Sequence, residues 1–130
     1  MDEDHFDEAL RFYQRTKYNP RRETLRPHVK NAYPILKQYA ADRELIGYKK
    51  LANRLETDER RYLSVILGTI SRIEDKSGRP PLSAVAVQKN LRIPNDRFFD
   101  LINQLQYSPV GATKDEIFEQ IRDDLKDEWD

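Results

Sequence analysis

The chain has 130 residues, enough for one domain with a single core, and its apolar residues are clustered and periodic enough to fold despite a charged fraction of 35%. It has no cysteine, which excludes a disulfide, a thiolate nucleophile and a cysteine zinc site. The formal net charge of zero conceals an uneven distribution: the first ten and the last twenty residues are each net negative by about five, and the stretch from Arg11 to Asp100 is net positive by about ten.

No apolar run approaches the roughly 18 residues needed to span a bilayer. Met1-Asp2-Glu3-Asp4 lacks the basic start and apolar run of a signal peptide. The expectation is a soluble, cytoplasmic chain. A basic centre between acidic ends fits a nucleic-acid face bordered by acidic terminal helices, and it fits equally a set of solvated helix faces of mixed sign.

In chain order, Phe6, Leu10 and Phe12-Tyr13 predict an amphipathic helix over residues 4–16, ended by Tyr18-Asn19-Pro20. Residues 21–27 read as a basic connection. A second helix is predicted over 27–42, burying Val29, Ala32-Tyr33, Leu36 and Tyr39-Ala40, with Pro34 either inside it or in the first turn of a helix capped by Asn31. Gly47 breaks the chain, and 48–55 is a short helix showing Leu51, Ala52 and Leu55 on one side. Thr57-Asp58 supplies the turn and N-cap.

The helix predicted over 59–75 carries a full apolar stripe of Leu63, Ile66, Leu67, Ile70 and Ile73. Gly68 inside it costs about 1 kcal/mol against alanine, so it marks close packing or close approach. Residues 82–87 are short, apolar and bounded by turn signals, the pattern of a buried strand. A polar, basic loop over 89–95 leads to a short helix starting near Asn95 or Asp96, with Phe98, Phe99, Leu101, Ile102 and Leu105 apolar. Thr113 and Glu116 form a capping box for a last amphipathic helix carrying Ile117-Phe118, Ile121, Leu125 and Trp129. These elements predict a mainly α chain: N-terminal helices over 1–44, a winged-helix-like helix-turn-helix core with a small β element over 45–106, and an acidic C-terminal helix over 107–130.

Little in the sequence points to catalysis. His5 and His28 lack metal-ligand spacing, and four scattered glycines make no phosphate loop. Glu74-Asp75-Lys76 has the spacing of some metal-dependent nuclease sites, but here it finishes a helix, where a lysine favours the helix dipole anyway. Ser83 has no neighbouring pattern to activate it. No cofactor or metal is expected, and no enzyme.

The helix-turn-helix carries more. Its second helix presents Arg60, Arg61, Ser64, Gly68 and Arg72 away from the apolar stripe, with basic groups near its N-terminus and small residues where a helix sits deepest in a groove. Tyr48 and Lys49 open the first helix, where they can hold a phosphate backbone. Lys89 and Arg92, in the loop after the strand, can serve as the wing. The structural alternative is that Arg60 and Arg61 decorate a solvated face and pair with Glu56 or Glu59.

The run Gly47-Tyr48-Lys49-Lys50-Leu51-Ala52, then Arg60-Arg61-Tyr62-Leu63-Ser64, then Pro80-Pro81-Leu82-Ser83-Ala84-Val85, resembles the DNA-binding domain of alkylguanine-DNA alkyltransferases and alkyltransferase-like proteins. The resemblance covers residues 45 to 100. It implies that Tyr48 touches the phosphate of a flipped nucleotide, that Leu51-Ala52 packs the first helix, and that Arg61 inserts into the duplex. It sets Leu82, Ser83 and Ala84 on the family's reactive cysteine, histidine and arginine, so it implies double-stranded DNA binding without alkyl transfer. Residues 92–99 correspond loosely to the loop that closes the family's alkyl pocket. The Gly-Arg-Pro-Pro-Leu-Ser stretch with a later Phe-Phe also looks like small prokaryotic proteins linked to restriction and DNA-protection systems.

The acidic C-terminal helix either packs on its own domain or docks a partner through Phe118, Leu125 and Trp129, by self-association or against a basic protein. The alternative function is therefore a protein-interaction subunit of a nucleic-acid-processing or phage-defence complex.

Overall fold

The structure, a computed structural model, describes residues 1–59 and 61–130. Arg60, one of the arginines expected at the DNA face, lies outside the described residues. In chain order the elements are α1 (Glu3–Gln14), α2 (Arg22–Ala41), β1 (Ile46–Gly47), α3 (Tyr48–Arg54), α4 (Tyr62–Lys76), a 3-10 turn (Leu82–Val85), β2 (Ala86–Val87), α5 (Asp96–Ile102) and α6 (Lys114–Trp129). The chain is mainly helical, as predicted, and no helix among the described residues is long and apolar enough to cross a membrane.

Helix α4 is the axis of the fold. Beyond the predicted stripe it buries Val65, Gly68, Thr69, Ser71, Glu74 and Asp75, so it is covered nearly all round rather than on one face. α1, α2, α5 and the 3-10 turn pack against it, and one hydrophobic core runs from Phe6 to Leu125.

Several local signals act as the sequence predicts. Asn95 caps α5 by accepting the Phe98 N–H at 3.3 Å. Thr113 caps α6 by accepting the Glu116 N–H at 3.2 Å, while its own hydroxyl donates to the Glu116 carboxylate at 3.1 Å. The expected Thr57–Asp58 cap is displaced: Asp58 accepts the Arg61 N–H at 3.0 Å, but α4 begins at Tyr62 rather than at residue 59, with Arg61 at its N-cap and no side-chain cap.

Elsewhere long-range contacts decide. The predicted basic connection is instead the first turn of α2, because Arg22 and Arg26 pair with Glu3 and Asp7 on α1. Pro27 and Pro34 both lie inside α2 on its exposed side. Their missing N–H groups leave carbonyls that water can satisfy, while Leu25, Val29, Ala32, Tyr33, Leu36 and Ala40 bury the opposite side. The predicted strand over 82–87 is mostly a 3-10 turn. Ser71 Oγ accepts the Ser83 N–H at 3.2 Å and pairs with the Ser83 hydroxyl at 2.6 Å, which ties the turn to α4.

Only Ala86 and Val87 remain extended, pairing in parallel with Ile46 and Gly47. The pairing is parallel, unlike the antiparallel hairpin that forms a wing. Its consequence is directional: the residues that follow β1 and β2 leave the pair at the same end.

The expected partner anchors on α6 are corrected by their burial. Phe118 is 5% and Leu125 1% exposed, packed with Ile121 in the core where α6 meets α2 and the 3-10 turn. Neither can reach another protein. Trp129 is half-buried, its ring faced by the Lys37 ammonium at 4.8 Å and the Arg79 guanidinium at 5.6 Å.

Candidate nucleic-acid interface

The outward side of α4 does not stand free. It forms the floor of a cleft of about 650 Å3. One wall carries Phe12 and Tyr13 of α1 with Tyr18 beyond it; the other carries Arg97, Phe98, Asp100 and Leu101 of α5, with Tyr48 and Asn95 at its edge. Of the floor residues, Ser64 and Arg72 are partly exposed, while Gly68 is buried beneath the Tyr13 hydroxyl, where a Cβ would overlap it. The close approach foreshadowed by this glycine is therefore a packing contact within the chain.

Arg72 is held in the same contact. Its guanidinium lies 3.6 Å from the Phe12 ring centroid and donates to Tyr13 Oη at 3.4 Å and Gln104 Oε1 at 2.5 Å. It bridges α1 to the chain after α5, away from Arg61 at the other end of the helix. A duplex cannot receive this stretch of α4 in its groove while α1 and α5 flank it. What remains open is the N-terminal end, where Arg61 is exposed and Ser64 half-exposed.

Tyr48 is well placed for a neutral donor. Its hydroxyl accepts the Asn95 N–H at 2.9 Å, which leaves its own proton free to donate into the cleft. Burial pushes this hydroxyl up to about 12, with the Asn95 hydrogen bond opposing the shift. The same bond fastens α3 to the β2–α5 loop. A second tie runs beside it, from Arg92 Nη2 to the Leu45 carbonyl at 3.4 Å. Because β1 and β2 run parallel, the backbone carrying Lys49 and Lys50 and the backbone carrying Lys89 leave the pair at the same end, while the Arg92 guanidinium reaches back to Leu45 at its start.

The ion pairs divide the basic residues. The acidic terminal helices neutralise Arg22, Arg26 and Lys76 through Glu3, Asp7 and Glu8, and Arg43 and Arg122 through Glu119 and Asp123. Lys49, Lys50, Arg54, Arg61, Lys89, Arg92 and Arg97 form no ion pair among the described residues. Nor do Arg11, Arg15, Lys17 and Arg21, which flank the aromatic wall of the cleft on the other side; Lys30 and Lys37 on α2 stand apart from both groups.

The remaining candidates have structural duties. Glu74, fully buried, accepts from Arg79 at 2.5 and 3.1 Å. Asp75 accepts the Gln106 and Tyr107 N–H groups, both at 2.9 Å, and Lys76 pairs with Glu8. The three cannot share a cation in this arrangement, and no group of three metal-ligating side chains occurs among the described residues. Sequence reasoning missed Phe12, Tyr18 and Arg97 as lining residues, because each belongs to a helix or turn whose orientation depends on contacts far along the chain. No protein-family model, curated protein or solved structure matches the chain.

Proposed function

We propose that this chain is a non-catalytic, double-stranded DNA-binding protein. Its contact face comprises the α3 end of the β1–β2 pair, the N-terminal end of α4 and the β2–α5 turn. The observation that carries this reading is the charge sorting. The acidic terminal helices neutralise Arg22, Arg26, Lys76, Arg43 and Arg122, while Lys49, Lys50, Lys89 and Arg92, on the two segments that leave the same end of the sheet, form no ion pair among the described residues. Such cations gain free energy from a polyanion through counterion release.

In this reading the β2–α5 turn takes the place of a wing, Arg61 is the residue that probes the duplex, and Tyr48 donates to a phosphate. The aromatic cleft beside that face offers stacking surfaces to any base that leaves the helix. Alkyl transfer has no support in the site: Leu82 and Ala84 are fully buried, and the Ser83 hydroxyl is held by Ser71.

The test is binding to a fluorescent duplex by anisotropy, from roughly 50 to 200 mM salt. The expected result is binding that weakens steeply, with a log–log slope of about −0.9 for each phosphate engaged. Absence of binding at the lowest salt overturns the proposal. It then favours the alternative, a protein-interaction subunit of a nucleic-acid-processing or phage-defence complex.

A further inference from the structure

The β2–α5 turn holds a large apolar side chain out in water. Leu91 is 70% exposed. A single exposed leucine is ordinary on a protein surface, but the mounting of this one is not. The Arg92 N–H donates to the Gln88 carbonyl at 3.0 Å and the Gln88 N–H to the Ile93 carbonyl at 3.0 Å, so residues 88–93 close on themselves. The Gln88 side chain reaches the Ile93 and Pro94 carbonyls, each at 3.4 Å. Arg92 takes a left-handed φ of 53°, unfavourable for a residue with a Cβ and sustained here by those bonds and by its own reach to Leu45. The turn is therefore stiff, and Leu91 sits near its tip between Lys89-Asn90 and Arg92.

This environment matches a surface that sets an apolar site between negative charges. DNA presents the matching order: a rim of phosphates, and within it the apolar faces of stacked bases. We infer that Leu91 is a wedge that enters the base stack from the minor groove and kinks the duplex, while Lys89 and Arg92 hold phosphates on either side. A stiff mount matters because a mobile loop would lose its freedom on insertion. The inference rests on the DNA-binding reading and adds to it a deformation of the duplex and the residue that causes it.

The experiment uses the full chain and a set of duplexes, each carrying 2-aminopurine at a different step, including flexible pyrimidine–purine steps. This base analogue brightens when it loses its stacking neighbours. Donor and acceptor dyes at the duplex ends report bending. Wild-type protein is expected to raise the fluorescence at one or two adjacent positions and to shorten the end-to-end distance. Leu91→Ala should abolish both signals and weaken binding roughly tenfold with the salt slope unchanged, because no charge is removed. Leu91→Met should keep them. Circular dichroism checks the fold of the variants, which an exposed position should not disturb.

Binding by wild type without any fluorescence rise, or a rise that survives Leu91→Ala, overturns the wedge and leaves the DNA-binding reading standing. Failure of wild type to bind at low salt overturns both.

Discussion

The Tyr13 hydroxyl lies over Gly68, in the space a Cβ at that position would occupy. This contact lets α1 seat itself on α4, and Arg72 then stacks on the neighbouring Phe12 ring. It confines the middle of a helix whose sequence pattern reads as an open recognition surface to the floor of a cleft, and it leaves the α4 N-terminus, with Arg61, exposed.

Gly68→Ala should therefore destabilise the fold by about 1–2 kcal/mol, although alanine is the better helix former by about 1 kcal/mol. In a Tyr13→Ala background the same substitution should become neutral or stabilising. Urea denaturation of the four proteins measures the reversal, and additive effects would mean that the two residues do not collide.

Glu74 is fully buried and its guanidinium partner Arg79 is partly exposed. Arg79→Met leaves the carboxylate without a cation and should cost about 3 kcal/mol, whereas adding Glu74→Leu should recover most of that loss. A double variant no more stable than Arg79→Met would show that the pair is not what Arg79 contributes.

Alkaline pH should unfold the protein in a defined window. Burial raises the hydroxyls of Tyr33, Tyr48 and Tyr107, that of Tyr48 to about 12. An unfolded tyrosine titrates near 10. The folded state thus holds these protons more tightly; the Tyr48 contribution is complete below about pH 10 and lost as pH rises through about 12, and those of Tyr33 and Tyr107 begin to fall in the same interval. The urea midpoint should fall steadily across that interval, and Tyr48→Phe should flatten the fall. A midpoint insensitive to pH there would contradict the buried setting of these groups.

Arg61 and Arg72 should separate binding from stability. Arg61→Ala is expected to lower DNA affinity well beyond a Lys30→Ala control and to reduce the salt slope by about 1. Arg72→Ala is expected to leave the slope unchanged and to lower stability by about 1 kcal/mol through the lost stacking and hydrogen bonds. Equal affinity losses for Arg61 and Lys30 would remove Arg61 from the interface. A change of slope at Arg72 would mean that α1 moves off α4 when DNA binds.

The amino-acid sequence by itself determined the helical class and the parts of the fold whose causes are local. The apolar stripe of α4, the start of α5 beside Asn95 and the Thr113–Glu116 box of α6 each depend on a few residues, so their signals survive in a linear reading. The uneven charge was legible too. Its outcome was not, because only folding brings Glu3 to Arg26 and Asp123 to Arg43, and so decides which cations keep no partner. Likewise Ile46 meets Ala86 across forty positions through two pairs too few to show a strand period. Phe118 and Leu125 carry the same apolar stripe whether they face a partner or their own core. Tertiary packing turned them inward, laid Tyr13 over Gly68 and left Leu91 in water, because those choices depend on which surfaces meet, and meeting surfaces have no period along the chain.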